Sequence, residues 1–504
     1  MGAFNNLPNE IIAEIFVQCL PLKSNHPNPK DAPLLLTHVC SFWRSLAQVT
    51  PRLWSSLRLE PHRASILDTA AKRDRALRTV SVCIEQYRHW RSHTPMTHPF
   101  DLSIRAWNSS TIKLELTTDW HSLMHAIAQD SSSLRSLMVD VEDLRYCRPI
   151  WTLTRTSICM LEAIHIRYRP EGYRVSIFEE LAGIQTFAAA PRLRKVILEY
   201  NSDRRGDLLA LPWAQLTHLV LTFPMPPSQF YTLLHDCPKL EALAFNFGKR
   251  NDNDEKINNT DISSKSLRKL DITFHFLDAE PTPSLFSSTD FPVLRSIVFR
   301  TAPTGYHFQW LPKSPARDHL FSQLHNLHTL KLGFQQIRST TLLELFETAP
   351  NIVKLALDSD IVDYPQLLAA LTCVLSPVKQ QRILTHLKDF ELYVEVSLGV
   401  LRENVHGRTD TPFTADQFMS MVSSRSRSFL ASQGEEPNLP AYLERVHLCI
   451  EDKDLIKSAE GLNVQELRER LESLQAKENM IASFSLSKDK DRWLQLEIKS
   501  WDDF

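Results

Sequence analysis

His89, His93 and His98 fall within ten residues of one another, in the stretch YRHWRSHTPMTH. Imidazoles at such density would suit a divalent transition metal. Pro95 interrupts the set, however, and no cysteine or carboxylate stands at the spacing that would complete a tetrahedral site. Neither a metal nor any other cofactor is expected. The acidic pairs Glu179-Glu180 and Glu435-Glu436 would serve proton transfer only in a concave, desolvated site, and both lie in exposed-looking stretches. The eight cysteines, at 19, 40, 83, 147, 159, 237, 373 and 449, form no CxxC pair. They read as single, mostly buried fillers of a reducing compartment. With 11 glycines in 504 residues, the chain carries neither a GxGxxG nor a Walker-type phosphate loop, and it also lacks GxSxG and HExxH. No enzyme is expected.

Bulk properties narrow the classes further. The formal net charge is −2, so nothing in the charge balance favours nucleic acid or a membrane surface. The basic residues crowded near 192–205 have acidic neighbours across 130–210, which breaks any stripe that could track phosphates. No apolar run approaches the ~18–20 residues that cross a bilayer. The opening MGAFNNLPNE has neither the basic nor the apolar region of a secretory signal. A cytoplasmic or nuclear protein is expected. A chain of 504 residues exceeds one compact core, so several domains or a repeat array must organise it.

The first residues read as short helices. In LPNEIIAEIFVQCL, apolar side chains at 7, 11, 12, 15, 16, 19 and 20 follow helical spacing. Pro8 suits a first turn and Glu10 the positive end of the helix dipole. KSNHPNPKDAP breaks that helix. A second is predicted through PLLLTHVCSFWRSLAQV, with Leu36, Val39, Cys40, Trp43 and Ala47 on its apolar face and Thr50-Pro51 ending it. Helices this short cannot bury all of their apolar surface against one another. They form either a cap over whatever follows or a docking module that keeps an apolar face for a partner.

The string LPNEII..IF...LP, then VCSFWRSLA, then PRLW, resembles the F-box. Leu7, Pro8, Glu10, Ile11, Ile15, Phe16, Val39, Cys40, Trp43, Arg44, Ala47, Pro51, Leu53 and Trp54 match it in type and order. The linker between the two helices is longer than in many F-boxes and looks like that of a large fungal group of F-box proteins. The stretches HWRSHTPMTHPFDLSI and FTADQFMSMVSSR, the latter from Phe413 to Arg425, are also similar to patterns of that group. The resemblance implies binding to the Skp adaptor of a Skp–cullin–F-box ubiquitin ligase. Residues 1–55 would be the F-box, with Leu7, Pro8, Glu10, Ile11, Ile15, Val39 and Trp43 making or supporting the adaptor contact. Leu7, Pro8 and Ile11 are the best candidates for direct contact. Ile15, Phe16, Cys40 and Trp43 stand equally well as core.

Behind it the chain repeats L-x-x-L-x-L with conservative swaps. The series starts at Trp54 and Pro99, then Leu134, Leu161, Leu193, Leu216, Leu240, Leu267, Leu294, Leu327, Ile352, Leu387, Leu443 and Trp493. Successive starts from 193 to 294 are 23, 24, 27 and 27 residues apart, within the ~20–29 of leucine-rich repeats. The predicted fold is therefore α/β: an N-terminal helical unit followed, over 56–504, by an irregular leucine-rich-repeat solenoid. Its strands would form a parallel sheet on the concave side, with insertions near 248–262, 301–320 and 400–440. In such a strand the leucines point into the array and the residues between them point out. The middle outward lane reads Met138, His165, Ile197, Val220, Ala244, Asp271, Val298, Lys331, Ala356, Glu391 and His447. Ile197, Val220, Ala244, Asp271 and Val298 are the candidate substrate floor. The competing reading gives these residues to strand propensity under covering loops.

Two functions follow. One is a ligase substrate adaptor that holds an unidentified protein substrate. The other is a leucine-rich binding scaffold with no part in ubiquitination. A co-receptor for a small molecule would need a pocket that sequence does not reveal.

Overall fold

The structure, a computed structural model, describes residues 7–21, 26–60, 70–106, 118–141, 144–168, 184–200, 209–248, 262–274, 286–301, 313–373, 383–396, 413–431, 440–452, 464–478 and 480–487. The chain forms two compact units, Met1–Phe223 and Pro224–Phe504.

The first unit opens with helix α1 (Asn9–Gln18), with Pro8 at its N-cap and Glu10 in its first turn. Ile12 and Phe16, four residues apart, are its buried stripe. The second predicted helix is two: α2 (Leu34–Val39) and α3 (Ser41–Gln48). Between them Cys40 is fully extended (φ −159°, ψ 171°), and its Sγ accepts a hydrogen bond from the Trp43 N–H at 3.4 Å. The thiol thus does the work of an N-cap serine or asparagine, satisfying a donor that a helix start leaves open. The break corrects the expected apolar face: Leu36, Leu46 and Ala47 are buried, whereas Val39 is exposed. Thr50 adopts the extended backbone that a following proline imposes, and a 3-10 turn, Pro51–Trp54, leads into the first strand.

Strands β1 (Ser56–Leu59), β2 (Phe100–Ala106), β3 (Leu134–Val141), β4 (Ala163–Tyr168), β5 (Lys195–Tyr200) and β6 (His218–Met225) pair in chain order, each parallel to the next. The inward positions of the repeat, such as Leu57, Ile104, Val139, Ile166, Leu198 and Leu221, are at most 1% exposed. Helices α4 (Ala70–Ser92), α5 (Thr118–Gln129) and α6 (Arg148–Trp151) return the chain between strands, as parallel pairing requires. The helices of residues 9–48 share this unit with the strands. Trp54 is the physical reason. Its buried ring lies 5.0 Å from that of Trp90 at the end of α4, and its Nε1–H donates to the Ala47 carbonyl of α3 at 2.8 Å.

The second unit repeats the plan. Its strands are β7 (Ala242–Phe247), β8 (Ile262–Ser263), β9 (Lys269–Phe274), β10 (Thr289–Asp290), β11 (Ser296–Thr301), β12 (Thr329–Arg338), β13 (Lys354–Val362), β14 (Asp389–Val396), β15 (Arg445–Asp452) and β16 (Ile481–Ser487). All but β8 and β10 form one parallel ladder in chain order, and those two pair with each other. One parallel strand per repeat is the arrangement of a leucine-rich-repeat-like solenoid. Thirteen of the predicted repeat starts lead into a strand, while the start at Trp493 lies outside the described residues. The expected insertions do so in part (249–261, 302–312, 400–412 and 432–439). Their described parts are regular, namely the helices Pro315–Ser322, Ala415–Ser424 and Arg427–Ala431.

The stretch Phe413–Arg425 builds its repeat. Thr414 and Gln417 close a reciprocal capping box at the start of the helix Ala415–Ser424. Phe418 stacks within 6.5 Å of Phe390, and Phe413 lies 5.5 Å from Tyr364. Arg425, 1% exposed, donates to the carbonyls of Leu371 (2.7 Å), Ile383 (2.8 Å) and Leu384 (2.9 Å).

Gly248 follows β7 at a place where only hydrogen fits: a Cβ there would stand 2.8 Å from Pro224 Cβ and 3.2 Å from the Pro224 carbonyl carbon. Gly248→Ala is expected to cost about 1–3 kcal/mol through overpacking against backbone, read as a lower midpoint of thermal unfolding.

Candidate functional site

The N-terminal helices carry more apolar surface than they bury. Among the described residues, ten large apolar side chains are exposed, and six lie between positions 7 and 49: Leu7, Ile11, Leu35, Val39, Phe42 and Val49. Scattered single exposures are ordinary; here six of the ten fall on or beside three short helices. The predicted contact residues divide accordingly. Leu7, Pro8, Glu10, Ile11 and Val39 are exposed. Ile15 and Trp43 are half-buried, and Trp43 packs against the buried Phe16 ring at 4.8 Å. Leu35, Phe42 and Val49 escaped the sequence reading because they fall off the apolar face of a single continuous helix. Once Cys40 splits that helix, they stand on surfaces of their own.

Polar ties fix the scaffold beneath these side chains. Glu14 of α1 meets Arg52 of the 3-10 turn at 2.5 Å, and Arg52 with Gln18 holds the Glu14 carboxyl below its ordinary range. Arg44 of α3 donates to the Thr37 carbonyl of α2 at 2.8 Å. His89 and His93 pack on Trp54, with ring centroids 5.4 and 4.6 Å away. Among the described residues, no group of three or more His, Cys, Asp or Glu side chains could hold a metal ion.

The outward lane is in register as read. Met138, His165, Ile197 and Val220 align across β3–β6 in the first unit. Ala244, Asp271, Val298, Lys331, Ala356, Glu391 and His447 align across the second. The candidate floor, however, is not open. Ile197, Val220 and Ala244 are at most 1% exposed. Asp271 is buried, with one carboxylate oxygen 2.5 Å from Arg300 Nη2. Burial pushes its carboxyl up, against the pull of Arg300 and Lys331. Val298 is half-buried, as are Lys331, Glu391 and His447 further along the second unit. Strand alternation shows which way a side chain points, but not what lies over it.

In the first unit the next outward lane is a ladder of alternating charge. Arg105 reaches Glu60 (3.5 Å) and Asp140 (3.7 Å), while Arg167 reaches Asp140 (3.7 Å) and Glu199 (2.6 Å). His165 Nε2 lies 2.6 Å from Glu199. Burial pushes the Glu199 carboxyl up, but His165 and Arg167 outweigh it and hold the group below its ordinary value. A carboxyl depressed in the folded state stabilises that state above its unfolded value of about 4.3. That contribution is lost as pH falls through the folded value. The first unit of wild type is therefore expected to melt above that of Glu199→Gln at neutral pH and to lose this advantage as pH falls, so the variant's midpoint should vary less with pH between 5 and 3. Thermal melts across that range check both.

No helix among the described residues is long and apolar enough to cross a membrane. No family model matches the chain, and no curated protein matches it. Among solved structures it is similar to one described as the Toll–Spatzle complex, a molecular hub in Drosophila development and innate immunity. The sequence identity is 10% and the TM-score 0.20, over 71% of this chain and 61% of that one, so this chain spans about three-fifths of its solved neighbour's length.

Proposed function

We propose that this protein is the substrate-recognition subunit of a Skp–cullin–F-box ubiquitin ligase. The observation that carries the reading is the coincidence of two independent features. The residues that resemble the F-box, 7–54, are also where exposed apolar side chains concentrate. An F-box presents such a face to the Skp adaptor, with Leu7, Pro8, Ile11 and Val39 as contacts, Glu10 at the rim, and Ile15 and Trp43 as support. Leu35, Phe42 and Val49 are further exposed apolar side chains of the same helical stretch. The parallel repeats hold a protein substrate. Since Ile197, Val220 and Ala244 are covered, recognition falls to half-exposed outward positions of the second unit, from Val298 through Lys331 and Glu391 to His447. The reading requires no chemistry from this chain, no cofactor, no nucleic acid and no membrane. It places the protein in the cytoplasm or nucleus, which its free cysteines support.

Co-expression with a Skp-family adaptor, followed by size-exclusion chromatography, tests the proposal. Co-elution is expected. Separate elution of a folded chain would overturn it in favour of a free-standing leucine-rich scaffold. Partner turnover that stops on cullin inhibition distinguishes a ligase subunit from a scaffold that merely carries an F-box.

A further inference from the structure

The junction between the N-terminal helices and the first repeat carries two histidines, His89 and His93, that pack on Trp54. Trp54 is its centre. The Thr94 hydroxyl donates to the Trp54 carbonyl at 3.1 Å, and Trp90 Nε1–H donates to the Ser56 carbonyl at 3.1 Å. His93, one turn beyond His89 on α4 and its end, lies against the Trp54 ring, and the two imidazoles are 4.8 Å apart. The Gln48 backbone at the end of α3 acts on the His93 ring in favour of its protonated form, but burial and His89 outweigh it. His98 follows in the turn before β2, where Arg135, Arg52 and Arg91 are the charges that act on it. The carboxylates beside those arginines are already engaged: Glu14 with Arg52 at 2.5 Å, Asp130 with Arg91 at 3.2 Å, and Asp101 with Arg135. With these three carboxylates each paired to an arginine, a proton taken up by His93 or His98 would add a positive charge that none of them is left to neutralise, at a site partly closed to solvent.

We propose that this junction is a pH-responsive joint, rigid while His93 and His98 are neutral and loosened when they take up protons. Burial, then His89, holds His93 below its ordinary value; burial, then the three arginines, does the same for His98. The sign follows. An opened joint binds these protons more readily than a closed one, so the stabilisation is complete above about pH 6.5 and is lost as pH falls through the depressed values. Within that window each histidine makes opening up to about tenfold easier per pH unit. Because the joint joins α3 to α4, its loosening would free the helical face from a fixed direction relative to the first repeats.

Hydrogen exchange of the full chain, followed by mass spectrometry at pH 7.5 and 5.5 and corrected for the intrinsic pH dependence of exchange, tests the joint. In wild type, peptides covering α3 and the end of α4 are expected to lose protection at the lower pH, by up to about tenfold for each histidine. Peptides from β13–β15 serve as the reference. The variant His93→Gln/His98→Gln keeps an amide donor at each position but cannot titrate, and it is expected to retain its protection. His98→Gln alone leaves the Trp54 stack intact and should remove part of the loss, which keeps the test valid if the double variant does not fold. Undiminished protection in wild type at pH 5.5, or equal loss in wild type and in His98→Gln, would overturn the proposal.

Discussion

Replacing Leu7, Ile11 and Val39 together by alanine is expected to abolish co-elution with a Skp-family adaptor while leaving the thermal unfolding of the chain within about 1 °C of wild type. All three side chains are exposed in the free protein, at 39%, 50% and 46%, so truncating them removes little packing, and surface changes of this kind usually alter stability by about 0.5 kcal/mol or less. In a complex the same side chains would be apolar anchors, worth about 1.5–3 kcal/mol each when fully buried. Part of each is already shielded, and anchor energies do not add. Even so, a combined loss of about 4 kcal/mol weakens binding by about a thousandfold. Ile12→Ala is the informative contrast. Ile12 is fully buried one position away, so its truncation is expected to cost about 2–5 kcal/mol of stability and to impair binding only by unfolding the bundle. If the triple variant binds normally, the exposed face is not the adaptor site. If the triple variant melts early, its effect on binding says nothing about contact, and single substitutions at Ile11 decide the matter.

How far this could be read from sequence depends on which distances the signal spans. The period-two alternation of L-x-x-L-x-L is local, and it located thirteen strands and their register, because a slip of one residue would turn every leucine outward. It missed β16, where Ala482 stands in line with Val446 of β15 and weakens the apolar pattern. Helix spacing over 34–48 was equally legible as helix, but its continuity was not. An extended cysteine that caps the following turn leaves no mark in apolar periodicity. The floor marks a different limit. Ile197, Val220 and Ala244 point outward as read, yet whether an outward residue meets solvent depends on chain segments distant in sequence. Asp271 looked like an interruption of an apolar lane. Its partner, Arg300, lies on the neighbouring strand and two residues beyond the aligned position, Val298, a diagonal pairing that strand register reveals and sequence spacing does not. The candidate contact residues near the N-terminus came from the resemblance to the F-box, because helix spacing alone left a cap and a docking module equally open.

The same argument from distant contacts gives the second large effect. Arg425→Ala is expected to destabilise the second unit by about 3–5 kcal/mol. Its guanidinium is 1% exposed and is satisfied by three main-chain carbonyls, those of Leu371, Ile383 and Leu384. Leu384 adopts a left-handed backbone (φ 52°), which a leucine does not favour, so the segment entering β14 is held in place by its surroundings. Arginine suits this position because one planar group carries several donors in fixed directions. Burying it is costly, and burial accordingly pushes the guanidinium below its ordinary value, but removing it strands three carbonyls in a closed site at about 1–3 kcal/mol each. Lysine restores the charge but not the fork, so Arg425→Lys is expected to recover less than half of the loss. Thermal unfolding of both variants, with hydrogen exchange of residues 383–396, reads the effect. If Arg425→Ala melts like wild type, the carbonyls have found water, and the arginine that ends the FTADQFMSMVSSR stretch would have to be explained by contact with a partner. A loss confined to the second unit, with adaptor co-elution intact, would instead show that the stretch builds the substrate-bearing repeats and takes no part in docking.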